Sequence, residues 1–341
     1  MQKSLRSALI ASVAMAAVAM AHAQPAQNNE FVIAGGTAGG TYDTMVNNLI
    51  SYCGPTMTQA GYKLTKQAGG NSSENIDALT GKSDRPVDIA PVQLDAAFLR
   101  RDREMDGLSG LKTLATLHSE ELHWVTLKNK TVIRGAKVVL GKTIPGTGTD
   151  TPLSTIDDLA GLRLGAVGGS ASTALIVQQK TGINYQILRD FKNNAELKQA
   201  LDDGKIDAFL AVTGAPGEPM KDMGETYKLL SVPAAYLGKE SALSFYNPAK
   251  ISYRKMGPEN EGVETASIPA TLLAREFNSP HMQQGLAVLR KCFNDSLPAM
   301  KDDRKVHAKW REQSVKPAVD ARSSKWAWYE LPAVTEVKTK K

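Results

Sequence analysis

Three stretches of the sequence place glycines and small hydroxyl or amide side chains between an apolar run and a helix-spaced one. They are Gly35-Gly36-Thr37-Ala38-Gly39-Gly40-Thr41-Tyr42, Gly69-Gly70-Asn71-Ser72-Ser73-Glu74-Asn75 and Gly168-Gly169-Ser170-Ala171-Ser172-Thr173. Glycine lets a main chain come close to a guest molecule. A helix start offers unpaired N–H donors and the positive end of the helix dipole. Ser, Thr and Asn add neutral donors. These residue types together suit a carboxylate or a phosphate. Each stretch taken alone is also what an ordinary helix cap looks like. Capping does not require the paired glycines, however, and three such loops facing one cleft would make a site for a small anion.

Motifs that would carry catalysis are incomplete. Gly141-Lys142-Thr143 has the ending of a phosphate-binding loop, but Ala136 stands where a glycine is required five places earlier. Gly35 to Gly40 contains no G-x-G-x-x-G. Gly168-Gly169-Ser170-Ala171 lacks the closing glycine of a nucleophile elbow, because Ser172 occupies that place. His118 and His123 do not have the spacing of a zinc-protease helix, and no C-x-x-C occurs. The expectation is therefore no catalytic residue, no metal and no cofactor. His123 beside Trp124 reads as structural, or as part of a crossing between two halves.

The elements that would position the loops alternate. Phe31–Ala34, Tyr62–Gln67, Val87–Val92 and Leu111–Leu117 read as strands, with helical spacing after the first at Tyr42, Met45, Val46, Leu49 and Ile50. Leu122–Leu127 is a further extended run where the chain could cross to a second lobe. The rhythm then restarts with strands at Leu162–Val167, Tyr185–Phe191, Asp207–Val212 and Tyr227–Val232. Thr271–Ala274 reads as a returning strand, and Met282, Leu286, Leu289 and Phe293 mark one helix face. This alternation predicts an α/β chain of mixed, mainly parallel sheets with helices on both faces. Two such halves leave a cleft between them, and ligands of open α/β sheets bind beyond the carboxyl ends of the strands. The lobes are expected at 24–123 with 246–341, and at 124–245. Ile133 to Thr155 reads as a loop or hairpin, and Asn247 to Thr265 as a connection between lobes.

Composition and ends narrow the class. Lys3 and Arg6 precede a run of 14 mostly apolar residues from Ala8 to Ala21, and Ala21-His22-Ala23 follows. That is the order of a secretory signal peptide, expected to be cleaved after Ala23; the run is shorter than the ~20 residues of a membrane span. The formal charge is +6 for the whole chain. No basic stripe interleaves with aromatics, so nucleic acid is a poor partner. Lys338, Lys340 and Lys341 belong to a tail expected to be disordered. The 2 cysteines, Cys53 and Cys292, both fall on apolar helical faces. A disulfide and a pair of buried free thiols are both compatible with that placement.

The loops, read with their neighbours, resemble the TAXI family, the receptor subunits of TRAP transporters. Resemblance runs from about Phe31 to Phe293. It is carried by Gly40-Thr41-Tyr42, by Gly69 to Asn75, by the Asp88 to Gln93 run, by His123 to Leu127, by Leu201 to Phe209 and by Ile268 to Arg275. It implies a class II periplasmic-binding-protein fold, two lobes joined by crossing strands. It also implies a small organic acid or amino acid as ligand and an integral-membrane TRAP permease, driven by an ion gradient, as partner. Carried over by position, the ligand contacts are Thr41, Tyr42, Asn71, Ser72, Gln93, Ser170, Ser172, Thr173 and Thr213, with Gly39 and Gly169 in the loops beside them. A monomer in a Gram-negative periplasm is the expected form. The same fold would also serve an ATP-driven importer or a receptor that feeds a sensor kinase.

Overall fold

Short apolar runs enter one sheet and helix-spaced runs cover it. The order is β1 (Glu30–Ala34), α1 (Thr41–Gln59), β2 (Lys63–Gln67), α2 (Ser72–Leu79), β3 (Ile89–Gln93), α3 (Leu94–Arg103) and β4 (Leu111–Leu127). There follow β5 (Thr131–Arg134), β6 (Val138–Val139), β7 (Lys142–Thr143), β8 (Thr149–Pro152), β9 (Arg163–Ala166), α4 (Gly168–Thr181), β10 (Gln186–Leu188), α5 (Asn194–Asp202), β11 (Ala208–Thr213) and β12 (Tyr227–Leu229). The chain closes with β13 (Asn247–Ile251), β14 (Val263–Arg275) and α6 (Pro280–Asp302). This computed structural model describes residues 29–103, 108–135, 138–139, 142–144, 146–312 and 326–334. The expected signal peptide and lysine tail lie outside the described residues. None of the described helices is long and apolar enough to cross a membrane.

The sheet runs β10-β9-β11-β4-β14-β3-β1-β2, with β12 added on β4 and β13 on β14. Parallel pairing builds two wings, β2-β1-β3 and β10-β9-β11. Antiparallel pairing joins them through β14 and β4. The expected strands at Leu111–Leu117 and Leu122–Leu127 are one 17-residue strand. Its first half pairs with β14 in the first wing, and its second half pairs with β11 and β12 in the second. All five residues of β3 are buried, as expected of a strand covered on both faces.

The return to the first wing comes later than residue 246. Ile251, Tyr253, Met256 and Val263 still pack with Leu197 and Phe209 of the second wing. The chain crosses back on β14, where Ser267 and Ile268 pair with Glu121 and Glu120. The expected connection at Asn247 to Thr265 is largely β13 laid against β14. Ile133 to Thr155 contains a hairpin, with β5 paired to β8.

Behind the first wing, α1 and α6 bury Met45, Leu49, Leu286, Leu289 and Phe293 with Phe31 and Ile33 of β1. Full burial of each such side chain is worth ~1.5–3 kcal/mol. Cys53 and Cys292 are bonded across these two helices, with Cα atoms 5.8 Å apart, so the free-thiol alternative falls away. A second apolar core is shared by both wings: Val92, Leu94 and Phe98 meet Ala171, Ala174 and Val177 of α4.

Candidate functional site

The glycine-bearing loops sit at the carboxyl ends of β1, β2 and β9, and all three reach one cleft of about 940 Å³ between the wings. Their glycines chiefly serve contact between the loops. A Cβ on Gly69 would lie 2.0 Å from the Gly35 carbonyl oxygen, so the first two loops can meet only as glycines. Gly168 has φ +53°, and a Cβ there would lie 2.6 Å from Asn71. A Cβ on Gly169 would lie 1.9 Å from Gln93 Oε1. The third loop is thus pressed onto the second across the gap.

Hydrogen bonds fix the frame. Asn75 donates to Gly35 O at 3.1 Å and Pro91 O at 2.9 Å, stapling the first loop to β3. Asn71 caps α2 by accepting from Ser73 N at 2.9 Å and Glu74 N at 3.3 Å. Ser72 Oγ accepts from Gln93 N at 2.9 Å. Ser170 Oγ accepts from Val212 N at 3.0 Å, tying α4 to β11. At the start of α1, Asp43 accepts from Gly39 N at 3.3 Å and pairs with Lys66 at 2.5 Å. The start of α4 differs: no side chain caps it and no acid lies in its first turn. Its main-chain donors are the ones that no acid of their own helix offsets.

Gly39, Thr41, Tyr42, Asn71, Ser72, Gln93, Gly169, Ser170 and Thr213 all line the cleft. Ser172 and Thr173 do not. Thr173 is fully buried and donates to Asp95 Oδ2 at 2.6 Å, so its hydroxyl bridges α4 to α3 behind the cleft. Asp95 also accepts from Tyr246 Oη at 2.9 Å and from Ala96 N at 2.7 Å. Burial pushes its carboxyl up to about 6.

Sequence reasoning missed the acids. Glu74, Glu120 and Lys192 line the cleft as its charged side chains. Glu120, on β4, is buried; Tyr42 donates to its Oε2 at 2.8 Å, and His118 Nε2 lies 3.5 Å from its Oε1. Burial, then the Glu120 charge, hold the Tyr42 hydroxyl well above its ordinary range, so it remains a donor at neutral pH. Gln93 is also buried, and among the described residues its Nε2 has no hydrogen-bond partner. A signal for Glu120 was present: Glu120 and Glu121 are the two acids of a strand whose residues are mostly buried. Asp95 likewise stands alone in the apolar run Val92 to Phe98.

The segment beyond β11 is held from below. His123 Nδ1 faces the Ala211 carbonyl at 3.2 Å and so carries the proton. Its Nε2 accepts from Tyr253 Oη at 2.8 Å, and that oxygen accepts from Gly217 N at 2.7 Å. Burial keeps His123 neutral, with its pKa lowered to about 4. Glu121 accepts from Ala215 N at 2.6 Å and pairs with buried Lys309 at 3.1 Å. Among the described residues no group of three His, Cys, Asp or Glu side chains is placed to hold a metal ion.

The chain matches no family model and no curated protein. Solved structures similar to it include the alkanesulfonate-binding protein of Xanthomonas axonopodis pv. citri bound to MOPS, 14% identical with TM-score 0.44, the match covering 84% of this chain and 83% of that one. An ancestral arginine-binding protein bound to arginine is 12% identical with TM-score 0.44, over 83% and 96%. A periplasmic binding protein of an ABC transporter from Brucella ovis, with glutathione bound, is 13% identical with TM-score 0.42, over 82% of each chain. The chain is thus a mixed α/β fold of two parallel wings joined by two antiparallel crossing strands.

Proposed function

We propose that this chain is a periplasmic solute receptor that captures a small organic solute carrying a carboxylate and delivers it to a TRAP-type, ion-gradient-driven membrane transporter. One observation carries the reading: glycine-bearing loops from both wings meet at one cleft, beyond the carboxyl ends of the strands. The two wings act as lobes joined by β4 and β14. The solute docks on the first lobe at Thr41, Tyr42, Ser72 and Gln93, and the second lobe closes over it with Gly169, Ser170 and Thr213. A solute favours the closed form only through its greater affinity for that form. The TRAP partner rests on the resemblance in the loops. An ATP-driven importer and a sensor kinase would use the same cleft.

Native mass spectrometry of protein purified without refolding tests the capture step. A stoichiometric small carboxylate should be released on denaturation, and a chain that carries none and gains none in a thermal-shift screen of dicarboxylates and amino acids would not be a receptor of this kind. Cross-linking of the solute-loaded protein in its native membrane separates the partners. Capture of an ATPase-coupled permease, or of a histidine kinase, would replace the TRAP assignment.

A further inference from the structure

Of the cleft's charged side chains, Glu74 and Lys192 are exposed and Glu120 is buried. Glu120 lies at the crossing of the wings on β4, opposite Ile268 of β14, and is 5% exposed. It lines the cleft, its polar neighbours are the Tyr42 hydroxyl and the His118 ring, and among the described residues no lysine or arginine pairs with it. Asp95, fully buried close behind, takes three hydrogen bonds from neutral donors. The cleft's cation, Lys192, is exposed and sits on the second wing, between β10 and α5. The two other cations of this region are spoken for: Lys309 pairs with Glu121, and Lys66 with Asp43. A carboxylate removed from water without a cation is costly, and a second carboxylate placed beside it raises that cost. A cationic nitrogen placed there lowers it.

Donors gather on the neighbouring elements. Gln93 lines the cleft beside Gly169 at the uncapped start of α4, and among the described residues its buried Nε2 has no hydrogen-bond partner. Gln93 itself is 5% exposed. An anionic group fits at these donors. We propose that Glu120 is a specificity residue that receives a cationic nitrogen of the solute, so that the cleft selects a solute bearing an ammonium group together with its carboxylate over the same carbon skeleton without the nitrogen. This rests on the receptor reading and narrows it to aminated acids. Tyr42 positions Glu120 by donating to Oε2, and His118 Nε2 lies 3.5 Å from Oε1, so the solute nitrogen would approach this held carboxylate from the cleft.

The test uses matched pairs: L-glutamate with glutarate, L-aspartate with succinate, and L-leucine with 4-methylpentanoate. Affinities are measured by calorimetry on the oxidised full-length mature protein. The wild type should bind at least one aminated member about tenfold or more tightly than its partner, the scale of a charge-assisted hydrogen bond. Glu120→Gln keeps the acceptor for Tyr42 and removes the charge, and should bring that ratio close to one, mainly by weakening the aminated member. Tyr42→Phe keeps the charge and should retain the preference even where both affinities fall, so the comparison survives if one variant folds poorly. Binding without preference in the wild type, or a preference unchanged in Glu120→Gln, would overturn the assignment while leaving the receptor intact. Binding of no member, together with no co-purified solute, would remove the receptor reading and this assignment with it. A co-purified solute without a basic nitrogen would remove the assignment alone.

Discussion

Thr173 on α4 donates its hydroxyl to Asp95 on α3 at 2.6 Å, across the seam between the wings. Burial raises the Asp95 carboxyl from an ordinary 3.8 to about 6. The folded chain therefore holds this proton more tightly than the unfolded chain. Ionisation becomes a cost of folding that develops as pH rises through that interval and is complete above it. Lowering the pH from 7 to 4 should add stability through this group, and Asp95→Asn should not share the gain. The variant's unfolding free energy, relative to wild type, should fall by about 2 kcal/mol over that range in urea titrations. A difference that stays level with pH would contradict the assignment.

His123 acts in the opposite direction over nearly the same window. Burial, with a smaller effect of the Lys309 charge, lowers it from 6.5 to about 4, so the folded chain binds its proton less readily. Stability is lost through this group as pH falls across that interval. His123→Gln should be destabilised at pH 8 by ~1–3 kcal/mol, because Tyr253 or the Ala211 carbonyl loses a partner. Relative to wild type it should gain about 3 kcal/mol on going to pH 4, enough to cancel or reverse that deficit. Paired urea titrations of wild type and variant at the two pH values decide the matter, and a constant deficit would refute it.

The bond between Cys53 and Cys292 spans 239 residues of sequence. A cross-link closing so long a loop restricts the unfolded chain strongly, by about 3–5 kcal/mol. Replacing both cysteines by serine should lower stability by that amount. A reductant should lower the unfolding midpoint of the wild type and leave the double variant unmoved. Equal sensitivity of the two proteins to reductant would show that the bond contributes nothing.

Two glycines of the loops should respond differently to alanine. Gly69→Ala sets a methyl group 2.0 Å from the Gly35 carbonyl oxygen, main chain against main chain, and one loop must move. A loss of about 2–3 kcal/mol is expected, with weakened solute binding. Gly39 has nothing within 4 Å of the added carbon, but its φ is +76°. Gly39→Ala should cost only about 1 kcal/mol, the ordinary penalty of a left-handed residue, with binding little changed. Thermal unfolding and calorimetry of both variants give the comparison; a larger loss at Gly39 would reverse the argument.

The wings were legible because period and punctuation agree locally. Apolar runs such as Phe31–Ala34 and Leu162–Val167 end in glycines and are followed by helical spacing. The long crossing strand was not, since Thr116, His118, Ser119, Glu120 and Glu121 break its apolar pattern. Their partners come from distant segments: Glu120 meets Tyr42 and lines the cleft, and Glu121 pairs with Lys309, tertiary facts with no local signature. The return crossing was placed too early for a similar reason: Pro248, Gly257, Pro258 and Gly262 look like a linker, but β13 uses its edge position to tolerate Pro248. In the cleft, hydroxyl and amide residues were found by composition. Thr173 shares that composition and was displaced from the cleft by the turn of α4, which points it at Asp95. Glu120 escaped notice because an acid inside a strand reads as an exception until the cleft around it is seen.

β4 and β14 are hydrogen-bonded to each other along their shared length, from Arg275 opposite Leu111 to Ser267 opposite Glu121. Adjacent strands resist shear, because sliding one past the other would break the ladder between them, whereas twisting the pair leaves the ladder intact. The two walls thus have a single soft coordinate, torsion of this ribbon. Its register irregularities at Ala270/Thr271 and Leu272/Leu273 lie on the first-wing side of the crossing, where extra local twist is already stored. Torsion of that ribbon would change the spacing of Gly169 on the second wing from Gln93 on the first, which are in close approach here.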